Sequence, residues 1–259
     1  YDKVSYLSPW DSIGTTPMKL KVKQRPQLIN NTFTVIPPSY TNLENSDYTN
    51  SFETQMEILE NSQIKFEFEA DKKISKAWML KNNNRVDLKI NNNKINGEFT
   101  FLEDSKIRIY CLDYDLTPNL NPIQYSFNQI EDFAPSIVVN TPETEFEIDK
   151  SFSISITANI NDDYGIDAFW IEYKTFSPGF PDTNPNNTLY LPELFEKNSK
   201  EVNITYNWDI DNLGLLMGDE IHFWLLAKDN NPNNISPVKS REFIGRFPSL
   251  EDIFSEINN

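Results

Sequence analysis

Alternation with a period of two dominates this chain. Gln63–Ala70 places Ile64, Phe66 and Phe68 on one side and Lys65, Glu67 and Glu69 on the other. Residues 151–160 repeat the pattern, with Phe152, Ile154, Ile156, Ala158 and Ile160 facing inward. Such alternation predicts half-buried strands. Further strands are expected over residues 32–36, 76–80, 86–90, 98–101, 107–113 and 123–130. In the second half they are expected over residues 136–140, 166–174, 202–208, 221–229 and 238–245. Pro37-Pro38 cannot donate to a ladder and ends the first of these. Residues 176–187, with three prolines and little periodicity, read as a long loop.

A longer pattern occurs three times: an alternating strand, an Asp, a polar loop, a Pro, and a second alternating strand. The copies are Val4 to Asp11 with Pro17, Ile107 to Asp113 with Pro122, and Ile221 to Asp229 with Pro237. Their spacing of roughly 100 residues is the size of an immunoglobulin-type β-sandwich, and the repeat resembles its last two strands. The expected fold is all-β: tandem immunoglobulin-like sandwiches with a short C-terminal helix. Residues 1–26 are read as the last two strands of a preceding module. Residues 27–132 and 133–247 are read as complete sandwiches. Residues 248–259 are read as the start of a helix, because Ser249 can cap and Leu250, Ile253, Phe254 and Ile257 follow helical spacing.

Composition narrows the function. Lys plus Arg total 23 against 39 Asp plus Glu, a net charge of −16. Such a surface repels phosphate backbones and anionic lipid, so no nucleic-acid partner is expected. Seven Gly against 16 Pro point to stiff connections. The 32 Asn, in runs such as Asn82-Asn83-Asn84 and Asn91-Asn92-Asn93, suit turns, because Asn tolerates positive φ. The single Cys111 lies on an alternating strand and reads as a buried, unreactive thiol.

Enzymatic chemistry finds little footing. The only His, His222, falls in a different module from Cys111, so the two cannot act as a pair. No G-x-S-x-G, H-E-x-x-H, C-x-x-C or phosphate-binding loop occurs. No cofactor is expected.

Among binding sites, calcium is the candidate ion. Asp162, Asp163 and Asp229 in the second module, and Asp113 and Asp115 in the first, lie in loops that converge at one end of a sandwich. The competing reading makes these Asp residues turn formers that accept backbone N–H groups. Trp170, Tyr164 and Tyr40 are the candidate interface aromatics, for protein or glycan.

Several stretches carry a resemblance: Arg25-Pro26 with Ile36-Pro-Pro-Ser-Tyr-Thr41, Asp162-Asp-Tyr-Gly-Ile166, and Tyr206-Asn-Trp-Asp-Ile210 with Met217-Gly-Asp219. Ala227-Lys-Asp-Asn230 and Arg246-Phe-Pro-Ser-Leu-Glu251 extend it. Together they resemble a family of large, uncharacterised bacterial envelope proteins, in which membrane segments precede tandem immunoglobulin-like modules and a long helical region follows. The resemblance implies a bacterial periplasmic or cell-surface location, a membrane-anchored parent and a soluble scaffold segment. It brings no catalytic residues. The expected partner is another protein, or a second copy engaged through the N-terminal hairpin. The alternative is a ligand-binding adhesion module for glycan or calcium.

Overall fold

In the computed structural model, residues 17–50, 54–177, 179 and 186–249 are described, and the regular structure among them is strand, with three short 3-10 turns. The first half forms β1 (Leu28–Ile36), β2 (Ser46–Thr49), β3 (Gln55–Leu59), β4 (Gln63–Ala70) and β5 (Ile74–Lys81). It continues with β6 (Asn84–Asp87), β7 (Lys89–Asn91), β8 (Lys94–Thr100), β9 (Ser105–Asp113) and β10 (Gln124–Ile130). These make two sheets, in the orders β2-β1-β4-β8-β7 and β3-β10-β9-β5-β6.

The second half forms β11 (Ser136–Thr141), β12 (Glu145–Glu147), β13 (Ser153–Asn161), β14 (Ile166–Phe176) and β15 (Asn187–Tyr190). It ends with β16 (Glu201–Asp209), β17 (Glu220–Asp229), β18 (Val238–Lys239) and β19 (Phe243–Arg246). Its sheets run β11-β13-β16 and β12-β19-β17-β14-β15, with β18 also on β17.

The two halves share one plan. The first strand opens antiparallel in one sheet, the chain crosses over, and a short segment then pairs parallel to the last strand of the other sheet. This is β3 on β10 in the first half and β12 on β19 in the second. Two facing sheets so connected are immunoglobulin-like or fibronectin III-like sandwiches. Each half has its own core. Phe33, Ile64, Phe66, Phe68, Ile107 and Phe127 belong to one; Ile154, Ile160, Ile171, Trp208, Phe223 and Phe243 belong to the other. No residue is shared between the two clusters.

Several expected strands change shape. Residues 86–90 are not one strand: the chain leaves β5's sheet after Asp87 and joins β8's sheet at Lys89. Leu88, between them, donates its N–H to Ala77 (3.0 Å) and packs on the first core. Residues 151–160 begin their strand only at Ser153, because Phe152 sits in a turn at φ +47°. Residues 238–245 divide into β18 and β19 around Ser240, whose hydroxyl and N–H both bond Leu225. The expected loop over 176–187 gives Phe176 to β14 and Asn187 to β15.

Residues 17–22 carry no strand, and Met18, Leu20 and Val22 are exposed. The remainder of the expected hairpin, residues 1–16, lies outside the described residues. So do residues 250–259 of the expected helix, while Pro248 and Ser249 are not helical.

The asparagine runs do what their chemistry suggests. Among the described residues, eight of the ten non-glycine positions with positive φ are Asn, including Asn82, Asn83 and Asn92.

Candidate functional site: the junction between the sandwiches

Where the first sandwich ends and the second begins, three loops meet the linker. The 3-10 turn Ser39–Thr41 follows Pro37-Pro38 and presents Tyr40. The linker supplies Asp132 and Phe133. The β13–β14 turn supplies Asp162, Asp163 and Tyr164, and the loop after β17 supplies Asn230 and Asn231.

Tyr40 binds all of these elements together. Its hydroxyl donates to Asp132 Oδ2 at 2.7 Å, and its ring meets that of Tyr164 edge-on at 6.2 Å. Its carbonyl accepts from Asn230 Nδ2 at 3.0 Å, and Asn230 Nδ2 also reaches the Tyr164 carbonyl. Asn231 Nδ2 donates to the same Asp132 Oδ2 at 2.6 Å, and the Phe133 N–H donates to Asp163 Oδ2 at 3.3 Å. Burial and the bond to Asp132 push the Tyr40 hydroxyl far above its ordinary pKa, so it is a permanent donor. A cleft of about 210 Å³ opens beside Tyr40, Asn61 and Asp132.

Tyr40 and Tyr164 therefore form an interface, but one internal to the chain: they face each other rather than an outside partner.

The three carboxylates read as calcium ligands do gather here, yet they serve as loop caps. Asp162 Oδ1 accepts the N–H groups of Tyr164 and Gly165. Asp229 Oδ1 accepts the Asn231 N–H and its Oδ2 accepts from Asn234 Nδ2. In the first module Asp113 repeats the role of Asp229, taking the N–H groups of Asp115 and Thr117 at 2.9 Å each. Asp115 pairs instead with Lys23 at 3.3 Å. Among the described residues, no three Asp, Glu, His or Cys side chains are arranged to hold one metal ion. Each of Asp162, Asp163 and Asp229 turns one oxygen to a backbone N–H group, which is the turn-forming role weighed against calcium.

The junction is electrostatically strained. Asp132 Oδ1, Asp162 Oδ2, Asp163 Oδ1 and Asn230 Oδ1 are buried acceptors that receive no donor from the described residues. Burial, opposed only in part by loop N–H bonds, holds the Asp162, Asp163 and Asp229 carboxyls above the ordinary carboxylate range, and their mutual repulsion adds to it. The folded form thus holds these protons more tightly than the unfolded chain does. Their contribution to stability is present at low pH and is lost as pH rises through the raised values.

Asp163→Asn should therefore stabilise at pH 7. The amide keeps an acceptor for the Phe133 N–H and offers Asp132 a donor in place of a charge. The expected gain is about 1 kcal/mol, shrinking towards zero near pH 4, read as urea midpoints at the two pH values. An equal gain at both would contradict the charge argument.

The outer face of the β12-β19-β17-β14-β15 sheet carries the third candidate aromatic. Trp170 is half-buried against Tyr190 (5.8 Å), and Tyr190 is 66% exposed. Beside them, Lys239 lies over the Trp224 ring at 4.1 Å and pairs with Glu172 at 2.8 Å. Sequence reasoning missed Tyr190, which lies on the short strand β15 whose residues lack alternation. On the same face His222 sits between Glu242 (2.9 Å) and Glu220 (3.1 Å). Cys111 is fully buried in the other core, and burial pushes its thiol up to about 11, so it is no nucleophile.

No known protein-family profile and no curated protein sequence matches the chain. Solved structures do. Fibronectin(III)-like modules of Clostridium thermocellum CbhA are 11% identical, covering 77% of this chain and 91% of theirs, with a TM-score of 0.24. A two-domain fibronectin type III segment of chicken tenascin is 7% identical over 70% of this chain and 92% of its own, with a TM-score of 0.24. DIP-gamma IG1+IG2 is 7% identical over 87% and 98%, with a TM-score of 0.28. At these scores the likeness carries no argument, and the fold stands on the strand order.

Proposed function

We propose that this chain is a non-enzymatic spacer or protein-interaction scaffold of a bacterial envelope or surface protein, with periplasmic or extracellular placement and a membrane-anchored parent. One observation carries the mechanical part: two separately cored sandwiches meet through a junction in which Tyr40 joins the linker, the β13–β14 turn and the loop after β17. A spacer needs such a fixed joint, whereas a catalyst needs a cleft with activated groups. Protein partners, including a second copy engaged through residues 1–24, complete the proposal.

The test is a distance distribution between spin labels at Lys106→Cys and Thr205→Cys, both exposed positions on different modules. Cys111 stays unlabelled because it is buried. A stiff spacer gives one narrow distribution, and Tyr40→Phe, which removes the bond to Asp132, broadens it. A broad distribution already present in the unmutated chain would sink the proposal.

A second reading, an adhesion module, is favoured by the exposed Tyr190 beside Trp170. Retention on polysaccharide resin that Tyr190→Ala abolishes would support it.

A further inference from the structure

The junction between the two sandwiches has a counterpart at the other end of the first one. In the junction, the Phe133 N–H of the linker is capped by Asp163 of the turn after the module's second long strand. At the opposite end, the Gln27 N–H is capped by Asp71 Oδ1 (2.9 Å) from the corresponding turn after β4, and Gln24 bonds the same carboxylate. In the junction, linker Asp132 bonds Asn231 in the loop after β17. At the opposite end, Lys23 pairs with Asp115 and Arg25 donates to the Pro118 carbonyl (3.1 Å), both in the loop after β9. Asp113 and Asp229 organise the two loops in the same way.

The difference lies in what covers the loop. The one after β17 is engaged by Tyr40 and Asp132 of the first module. The one after β9 carries Tyr114, Leu116 and Leu120 at 74%, 65% and 65% exposure. Leu116 also holds φ +60°, a conformation leucine rarely adopts, so the loop spends backbone strain to present an apolar side chain to solvent. Exposed apolar clusters of this kind mark interaction surfaces. Immediately before Lys23 in the chain, Met18, Leu20 and Val22 alternate with Lys19 and Lys21, the pattern of a sandwich's closing strand, in a stretch that adopts none here.

We propose that the end of the first sandwich bearing Tyr114, Leu116 and Leu120 is a docking face for the closing end of another immunoglobulin-like unit, with residues 17–23 as that unit's last strand. The contact would repeat the one the first sandwich makes with the second. This inference rests on the tandem-spacer reading and extends the rod by one unit.

A second copy of residues 27–130, whose closing end is the one already used in the junction, serves as the probe when fused directly ahead of Lys23 in place of residues 1–22. Hydrogen exchange of residues 113–120 should slow at least tenfold relative to the unfused chain, and Leu116→Asp should restore the faster rate. Leu116 is exposed, so that change leaves both cores intact. Exchange of this loop unchanged by the fusion would overturn the proposal. Exchange at Asn230–Asn231, followed in the same sample, reports the existing junction. Fast exchange there would count against the tandem-spacer reading itself, which keeps the two failures distinguishable.

Discussion

Phe223→Ala should cost the second sandwich about 3–5 kcal/mol while leaving the first core's own transition nearly in place. Phe223 is fully buried on β17, with ring contacts to Phe146 (6.3 Å), Trp208 (5.6 Å) and Phe243 (5.3 Å). Truncation removes a large apolar side chain and leaves a hole that three rigid neighbours cannot collapse into. Emission from Trp170, Trp208 and Trp224 should shift to lower urea. Far-ultraviolet dichroism should then resolve into two steps, the later one belonging to the first sandwich. A single step displaced as a whole would mean the cores are coupled far more strongly than one junction permits.

Gly165→Ala should be the most damaging small change, at roughly 3 kcal/mol or more, because two costs combine. Gly165 holds φ +138°, a region L-residues avoid. A Cβ there would also stand 2.6 Å from the Asn198 carbonyl oxygen and 2.9 Å from its Cα. The obstruction is backbone, pinned by the Asn198 N–H bond to Ile166 (2.9 Å), so it cannot swing aside as a side chain tip would. The Gly165 carbonyl accepts the Asn230 N–H and its N–H donates to Asp162, so the damage reaches the junction. A loss below 1 kcal/mol in urea denaturation would show that the turn can rearrange.

Much of the fold was legible because long strands with one buried face advertise themselves. Ile64, Phe66 and Phe68, or Ile154 and Ile156, could hardly be read otherwise, and all are buried. Short edge strands gave no such signal. β2 buries none of its four residues, and β12 is three residues long and paired to one neighbour, so periodicity had nothing to act on. The break at Leu88 was equally hidden, since a strand that changes sheets keeps its alternation while its hydrogen-bond partners change.

The junction was half legible. Asp162, Asp163, Asp229, Tyr40 and Tyr164 were all singled out, and they do converge. Asx-turn chemistry, one of the two roles the sequence offered these Asp residues, is legible from Asp before Gly or Asn, whereas the cross-module partners of Asp163 and Tyr40 are not. Asp132 and Asn230, which complete the set, sit in an unpatterned linker and loop. Only the fold brings them near Tyr40.

The most direct trial of two separately cored units is to express residues 25–132 by themselves and record their urea transition. The chain's first core lies wholly between Phe33 and Phe127, so a cooperative transition with native near-ultraviolet dichroism is predicted, with only the junction's share of stability missing. A fragment lacking fixed side-chain packing under native conditions would contradict the account.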